Sequence, residues 1–277
     1  MYHNDTIIII IFEKQILIMR FLENISEKEL NASFRKFNRE APARYLPSVS
    51  IDTVIFSFHD SDLKVLILRF GNSGYSMLPG GYIGKKEALD DAAARILKER
   101  TGVDEIYLEQ FYTSGQTGRS KDSRIRRLLK GSGVNLPADN WFERRYISVC
   151  YYALINGTKV SLVTQEINPG YSWCSINLLP DLLYDHNTIV NKAVERLQHD
   201  IDHKLAGFNL LDETFTMKDI QDLYEAVFRK EFTRTNFQRT MLGLGILDRL
   251  EKKKTGKPHK SPFLYRFKRT ITNIEKE

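Results

Sequence analysis

Alternation of apolar and polar residues predicts several β-strands between about residues 46 and 176. Two runs, LPSVSIDTVIFSF and LKVLILRF, flank the polar turn HDSD and are rich in β-branched and aromatic residues. Further strands are predicted in EIYLEQFYTSG, in YISVCYYALI and over Ser172–Ile176, and a long helix from about Asn187. Strands interleaved with helices indicate an α/β or α+β layered domain.

Between these strands lies the segment Leu78–Val103, LPGGYIGKKEALDDAAARILKERTGV. Its Pro-Gly-Gly turn precedes a helix predicted from about Glu87 to Arg100, with Gly102 as its C-cap. Because glycine has no Cβ, this turn lets the backbone approach a ligand closely.

The pattern changes after Thr214, where short elements predict a winged helix-turn-helix. The first helix, TMKDIQDLYEAVF, is amphipathic, with Thr216 as its predicted N-cap. The second, RTNFQRTMLGLG, repeats Phe237 and Met241 at helical spacing, and Thr233 can cap its start. Two predicted strands, ILDRLEKKK and SPFLYRF, then flank the Lys-rich loop TGKPHK.

These patterns divide the chain into an N-terminal arm (1–45), a layered domain (46–201), a linker (202–213) and a winged helix (214–277). Within the arm, Phe21–Arg44 is compatible with a helix. The apolar stretch Thr6–Met19 is too short to span a bilayer, and MYHND lacks the basic residues of a secretory signal. It is predicted either to form a strand pair or to precede a true translation start at Met19. No membrane partner is expected.

Positive charge is concentrated near the C-terminus. The chain has a formal net charge of +6, and Arg229–Arg269 holds thirteen Lys and Arg against three Asp and Glu. A basic end on a near-neutral body indicates a module that binds a polyanion. Two cysteines in 277 residues indicate neither a disulfide framework nor a zinc site, so a cytoplasmic location is expected.

A second basic stretch, Arg119–Arg145, interrupts the predicted strands and is interpreted as an insertion. A solvated loop is the default interpretation of such a charge run, and contact with phosphate or a partner subunit is the alternative. Within it, SRIRRLLKGSG could form one or two basic amphipathic helical turns.

The segment Leu78–Val103 resembles the Nudix box, G-x5-E-x7-R-E-U-x-E-E-x-G-U. The matching residues are Gly81, Glu87, Arg95, Leu97, Glu99, Gly102 and Val103. Two positions at which the family has metal-binding glutamates are occupied by Ile96 and Arg100. Because Mg²⁺ needs clustered oxygen ligands, we expect a Nudix fold without a metal site, a cofactor or catalytic residues. The alternatives are a chance match in an ordinary helix and a working enzyme that uses other carboxylates.

The order of domains resembles the Nudix-related transcriptional regulators, in which a Nudix-like effector domain precedes a winged helix. Matching stretches include SVSIDTVIF, LEQFYTSG, LLPDLLYDHNTIV and FTMKDIQDLYEAVFRKEFTRTNFQRTMLGLGIL. The resemblance implies an α/β/α sandwich with a mixed sheet, a homodimer bound to double-stranded operator DNA, and control by a small effector. That effector is ADP-ribose-like in some branches and a pentose, such as arabinose or xylose, in regulators of carbohydrate metabolism.

Residue types suggest which side chains would serve each site. The candidates for effector binding are Gly81, Glu87, Glu99, Tyr112, Arg119 and Arg145. Recognition helices place polar residues near their N-termini against base edges, so the candidates there are Arg234, Thr235, Asn236, Gln238 and Arg239. The candidates at the loop tip, for phosphate or the minor groove, are Lys257, His259 and Lys260. Asp185 and His186 are predicted to cap the closing helix.

Three hypotheses about function are consistent with these sequence features. The first is a ligand-responsive transcriptional regulator without hydrolase activity, which the substituted metal site and the basic winged helix favour. The second is a Mg²⁺-dependent Nudix hydrolase acting on a nucleoside diphosphate derivative such as ADP-ribose. The third is an architectural or dimerisation module with a vestigial cleft.

Overall fold

The computed structural model of the chain describes residues 26–70, 73–101, 107–119, 122–131, 133–135, 140–156, 170–203, 210–253 and 261–268. The predictions for Thr6–Met19, for the C-cap Gly102 and for the loop tip with Lys257, His259 and Lys260 lie outside these residues. Over the described ranges, every helix is too short or too polar to cross a membrane.

Seven strands form one mixed sheet in the order β3-β2-β1-β6-β5, with β4 paired to β1 and β7 paired to β2. The strands are β1 (Tyr45–His59), β2 (Asp62–Arg69), β3 (Ser76–Met77), β4 (Gly80–Gly84), β5 (Tyr107–Ser114), β6 (Ile147–Asn156) and β7 (Tyr171–Ser175). Strands β1 and β6 run parallel, whereas β2 and β4 are antiparallel to β1. Asp60 and Ser61 form the two-residue hairpin turn, with φ of 55° and 53°.

Helices cover both faces of this sheet. They are α1 (Glu27–Arg44), α2 (Leu89–Thr101), α3 (Ser123–Gly131) and α4 (His186–His203). Side chains alternate along β1, so Val54 and Phe56 join the core that contains residues of α4, whereas Ile51 joins the core that contains residues of α2. The predicted α/β/α sandwich is confirmed.

The stretch Arg119–Arg145 is partly built into the core and is not simply a solvated loop. It contains the amphipathic helix α3, whose Leu128 and Leu129 are buried, and a 3-10 turn that buries Trp141. The default interpretation was wrong because the many basic residues obscured these apolar anchors, which fix the segment to the domain.

Helix α1 forms within the helix-compatible stretch Phe21–Arg44. Ser26 and Glu29 form a capping box, in which Ser26 Oγ accepts from Glu29 N at 3.3 Å and Glu29 Oε2 accepts from Ser26 N at 3.0 Å. Farther along the helix, Phe34 and Phe37 are buried against the layered domain. The helix is therefore packed onto the body of the protein.

The C-terminal part is a winged helix, as predicted. Its elements are β8 (Phe215–Thr216), α5 (Met217–Phe228), α6 (Arg234–Gly243), β9 (Leu247–Lys252) and β10 (Phe263–Phe267), and its strands pair in the order β8-β10-β9. Thr216 Oγ1 accepts from Asp219 N at 3.2 Å and caps α5. Thr233 occupies the N-cap of α6 without a side-chain capping hydrogen bond.

The winged helix packs directly against the layered domain. Gln198 Nε2 of α4 donates to the carbonyl of Val227 in α5 at 2.8 Å, and Arg229 Nη2 donates to the carbonyl of Ile176 at 3.3 Å. One apolar core contains residues of both parts. Helix α4 therefore joins the sheet to the first helix of the winged helix.

Candidate functional site

A cavity of about 260 Å³ opens between the sheet, α1, α2 and the segment that follows β5. Its aromatic end is lined by Phe34, Phe37, Tyr45, Tyr82 and Phe142. Its polar end is lined by Asp52, Arg119, Tyr184 and His186. Side chains of α2, namely Arg95, Ile96, Glu99 and Arg100, complete the wall together with Gly80 and Gly81.

Arg95 braces the turn before α2. Its Nε donates to Glu87 Oε2 at 2.9 Å, and its Nη2 donates to the carbonyl of Tyr82 at 3.0 Å. Glu87 also accepts a hydrogen bond from Gly84 N, and the bond from Arg95 is the largest cause that holds the pKa of Glu87 below its ordinary value. Glu87 is thus engaged in shaping the turn and the start of α2.

The residues of α2 do not fit a divalent metal. Ile96 is buried against Gly81, and Arg100 donates to the carbonyl of Gly80 from Nε at 3.2 Å and from Nη2 at 2.9 Å. Glu99 Oε1 lies 3.4 Å from Arg95 Nη1. In the part of the chain that the structure describes, no group of three or more His, Cys, Asp or Glu could hold a metal ion. The hydrocarbon of Ile96 and the guanidinium of Arg100 stand where Mg²⁺ would need oxygen ligands.

The Pro-Gly-Gly turn passes too close to β1 for a side chain. A Cβ at Gly80 would lie 2.6 Å from the carbonyl oxygen of Ile51 and 2.8 Å from Asp52 Oδ1. A Cβ at Gly81 would lie 2.9 Å from Ile96 Cδ1. The two glycines therefore serve packing between the turn, β1 and α2.

A buried polar cluster forms the other end of the cavity. Asp52 of β1 accepts hydrogen bonds from Arg119 Nη2 and from Ser148 Oγ, the latter at 2.6 Å. His186 Nδ1 accepts from Leu78 N at 2.9 Å, so the neutral ring carries its proton on Nε2, which lies 3.5 Å from Asp52 Oδ1. The side chain of His186, predicted to cap α4, instead joins this cluster.

Burial and charge set the protonation states in this cluster. Burial alone would raise the pKa of Asp52, but Arg119, His186 and Ser148 outweigh it and hold that pKa below its ordinary value. Burial lowers the pKa of His186 by disfavouring the charged ring, and the nearby Asp52 offsets this only in part. At neutral pH the cluster therefore holds a carboxylate, a guanidinium and a neutral imidazole.

Because the imidazole of His186 is buried, we expect the folded protein to lose stability in mild acid. The unfolded chain binds a proton at His186 below the ordinary pKa of 6.5, whereas the folded protein binds it only at lower pH. The contribution of His186 is complete above pH 6.5 and is lost as the pH falls through the folded value. We expect the urea midpoint of the wild type to fall more steeply between about pH 7 and 5 than that of His186→Asn. Parallel pH profiles would contradict this assignment.

Two buried polar atoms in the cluster lack hydrogen-bond partners among the described residues, Arg119 Nη1 and Asp185 Oδ1. They lie 3.4 Å apart. Tyr184, the residue before Asp185, adopts a left-handed φ of 58°, which is strained for a residue with a side chain. Because an unmet buried donor costs about 1–3 kcal/mol, Arg119 Nη1 is a candidate contact for a ligand in the cavity.

Three predicted effector residues lie outside this cavity. Glu87 is held by the turn before α2, and Arg145 is exposed, donating to the carbonyl of Gly115 at 3.1 Å. Tyr112 packs against the core that contains α4, because an irregularity between Gln110 and Tyr112 shifts the register of β5. Strand alternation does not reveal such a shift.

The other three predicted residues, Gly81, Glu99 and Arg119, line the cavity. The sequence analysis did not predict Asp52 and His186 in the cavity, where they are the most deeply buried polar residues. A signal was present for Asp52, since it is the one charged residue in the strand SIDTVIFSF. The aromatic wall from α1 carried no comparable signal.

The candidate DNA-contacting residues lie on α6. Arg234, Thr235, Asn236 and Arg239 are exposed and Gln238 is half-buried, whereas Phe237 and Met241 are buried in the core. Arg239 Nη2 donates to Asn236 Oδ1 at 3.2 Å. One face of α6 thus presents polar side chains to solvent near its N-terminus.

Comparison with known proteins finds relatives of both parts. A family model described as the NUDIX domain matches residues 48–197, and one described as the NrtR DNA-binding winged helix domain matches residues 207–267. The ADPR responsive transcriptional repressor NtrR of Acinetobacter baylyi is 26% identical over 249 residues, which cover 87% of this chain and 88% of that protein.

Solved structures match across both domains. The crystal structure of Shewanella oneidensis NrtR has a TM-score of 0.60 and 27% identity, covering 80% of this chain and 94% of that one. The structure of the same protein complexed with a 27mer DNA gives 0.61 and 26%, covering 81% and 95%. A Nudix sheet and an appended winged helix define a two-part Nudix protein. The chain belongs to the Nudix-related transcriptional regulators.

Proposed function

We propose that this protein is an ADP-ribose-responsive transcriptional repressor. The observation that carries the proposal is a cavity beside a Nudix helix that does not fit a metal, in a chain that also presents an exposed polar face on α6. The Acinetobacter relative, described as responsive to ADPR, and the NrtR structure with DNA support the effector and the partner.

The charges of the cavity favour an anionic effector. Its lining contains four arginines and two carboxylates: Arg95, Arg100, Arg119, Arg144, Asp52 and Glu99. This positive excess suits the diphosphate of ADP-ribose, because guanidinium groups bind phosphate oxygens strongly. A neutral pentose carries no negative charge that these arginines could bind.

The same residues argue against hydrolysis. In-line attack on a diphosphate needs metal ions to polarise the phosphates and activate water. Here Ile96 and Arg100 occupy two ligand positions, and Glu99 pairs with Arg95. The site is therefore proposed to bind its ligand without cleaving it.

Helix α4 offers a route from the cavity to the DNA-binding part. His186, its first residue, belongs to the polar cluster, and Gln198 farther along is bonded to α5. A ligand that shifts Arg119, or the backbone at Tyr184, would also move the start of α4. The expected consequence is a change in how the winged helix is held.

Fluorescence anisotropy with a duplex from the protein's own upstream region tests this proposal. We expect specific binding that ADP-ribose weakens, whereas arabinose, xylose and ribose have no effect. The same protein with Mg²⁺ is expected to leave ADP-ribose intact. Release by a pentose, or enzyme-like turnover of ADP-ribose, would overturn the corresponding part of the proposal.

The proposed active form is a cytoplasmic homodimer on a two-fold symmetric operator. Winged-helix dimers read two half-sites whose spacing mirrors the symmetry of the protein. Multi-angle light scattering of the free protein and of its DNA complex measures this stoichiometry. A complex of one chain per duplex would contradict the dimer.

A further inference from the structure

Helix α1 supplies one wall of the cavity, although it lies outside the matched Nudix domain. Phe34 and Phe37 line the cavity, whereas the matched domain begins at residue 48. The ring centroid of Phe37 lies 5.1 Å from that of Phe142 and 6.0 Å from those of Tyr45 and Tyr82. The ring of Phe34 lies 5.2 Å from that of Phe142. Five rings thus gather at one end of the cavity.

These rings are fixed from behind by buried groups. Trp141 packs edge-on against Tyr82 at a centroid distance of 5.8 Å, and its backbone N donates to Asn38 Oδ1 of α1 at 2.6 Å. Tyr146 Oη donates to the carbonyl of Trp141 at 2.7 Å, and its ring lies 5.4 Å from Tyr82. The aromatic end is therefore preorganised, which lowers the entropic cost of binding a ligand there.

The two ends of the cavity differ in the chemistry they can bind. Aromatic faces stack against planar rings such as nucleobases. Arg119, whose buried Nη1 makes no hydrogen bond among the described residues and lies 3.4 Å from Asp185 Oδ1, can donate to hydroxyl or phosphate oxygens. A bare sugar satisfies only the second end, whereas a nucleobase joined to a phosphorylated sugar satisfies both.

We infer that the aromatic end, closed by α1, binds the nucleobase of the effector, while the end with Arg119 receives its phosphates or ribose hydroxyls. This rests on the proposed function, since it takes the cavity as the effector site. It adds that selectivity for a nucleotide over a sugar depends on Phe37 of α1 and on Phe142. Loss of one stacking ring is expected to weaken nucleotide binding about 10- to 100-fold.

Calorimetry with three probes, ADP-ribose, AMP and ribose 5-phosphate, tests this assignment on the full chain. The wild type is expected to bind ADP-ribose and AMP at least about 10-fold more tightly than ribose 5-phosphate. Phe37→Leu and, separately, Phe142→Leu keep an apolar side chain but remove the ring. Both are expected to weaken ADP-ribose and AMP about 10- to 100-fold while changing the affinity for ribose 5-phosphate little. Phe58→Leu, at the far end of β1, is the matched control and should leave all three affinities unchanged.

Fluorescence supplies a local readout. The chain has two tryptophans, so Trp173→Phe leaves Trp141, beside Tyr82, as the reporter. AMP is expected to change its emission, and ribose 5-phosphate is not.

The outcomes separate the two levels of the proposal. If the wild type does not bind ADP-ribose, the proposed function fails. If it binds ADP-ribose but both ring variants bind it as tightly as the wild type, the base-binding assignment is wrong while the function stands. The assignment is also wrong if both ring variants lose all three ligands equally, because a ring that recognises the base must affect the nucleotides selectively.

Discussion

Replacing Arg119 with methionine is expected to lower the free energy of unfolding by about 3–5 kcal/mol. The side chain of Arg119 is 6% exposed and that of its partner Asp52 is 8% exposed. Removing the guanidinium leaves the Asp52 carboxylate buried without a countercharge, and it also deprives Asp185 of its nearest cation. Methionine retains most of the apolar stem, so the loss measures the charge and not the packing. Urea denaturation at neutral pH, followed by circular dichroism, gives the value.

Two further variants decide whether the ion pair causes this loss. Arg127→Met, exposed on α3, is the matched control and should change stability by less than about 0.5 kcal/mol. The double variant Arg119→Met/Asp52→Asn should be more stable than the two single losses added together predict, because neither charge is left alone. A loss below about 1 kcal/mol for Arg119→Met would show that the pair is hydrated.

The strands and helices were predictable where their signals are local. The apolar stripe with Leu223 and Val227, and the Thr216 cap before it, lie within one short stretch and fix α5 by themselves. The same holds for the turn and helix of the Nudix box, although α2 begins at Leu89, two residues after the predicted start. Local propensity therefore recovers the elements and their order.

The site was less predictable because it depends on contacts between distant residues. Arg119 reaches Asp52 across 67 positions in the sequence, and in a run of basic residues nothing distinguishes it from its exposed neighbours. Similarly, the wall formed by Phe34 and Phe37 depends on Phe142 arriving from another segment. Burial, and not residue type, distinguishes Arg119 from the more exposed arginines of the same segment.

Arg234→Ala/Arg239→Ala is expected to weaken binding to the specific operator at least about 30-fold, at about 1–3 kcal/mol for each base contact. Both side chains are exposed near the start of α6, while Phe237 and Met241 between and beyond them anchor the helix in the core. The substitutions therefore remove base contacts without removing packing. Anisotropy titrations with the operator and a scrambled duplex of equal length, at two salt concentrations, measure the effect.

The two duplexes distinguish contacts to bases from contacts to phosphates. Direct readout predicts that the double variant loses most of its preference for the operator, while binding to the scrambled duplex falls far less. Lys253→Ala in the wing, which removes one positive charge outside α6, should weaken both duplexes alike and reduce the salt dependence. If the double variant also weakens both duplexes equally, Arg234 and Arg239 bind only phosphates. In that case, recognition of the operator must come from other residues of the winged helix or from the shape of the DNA.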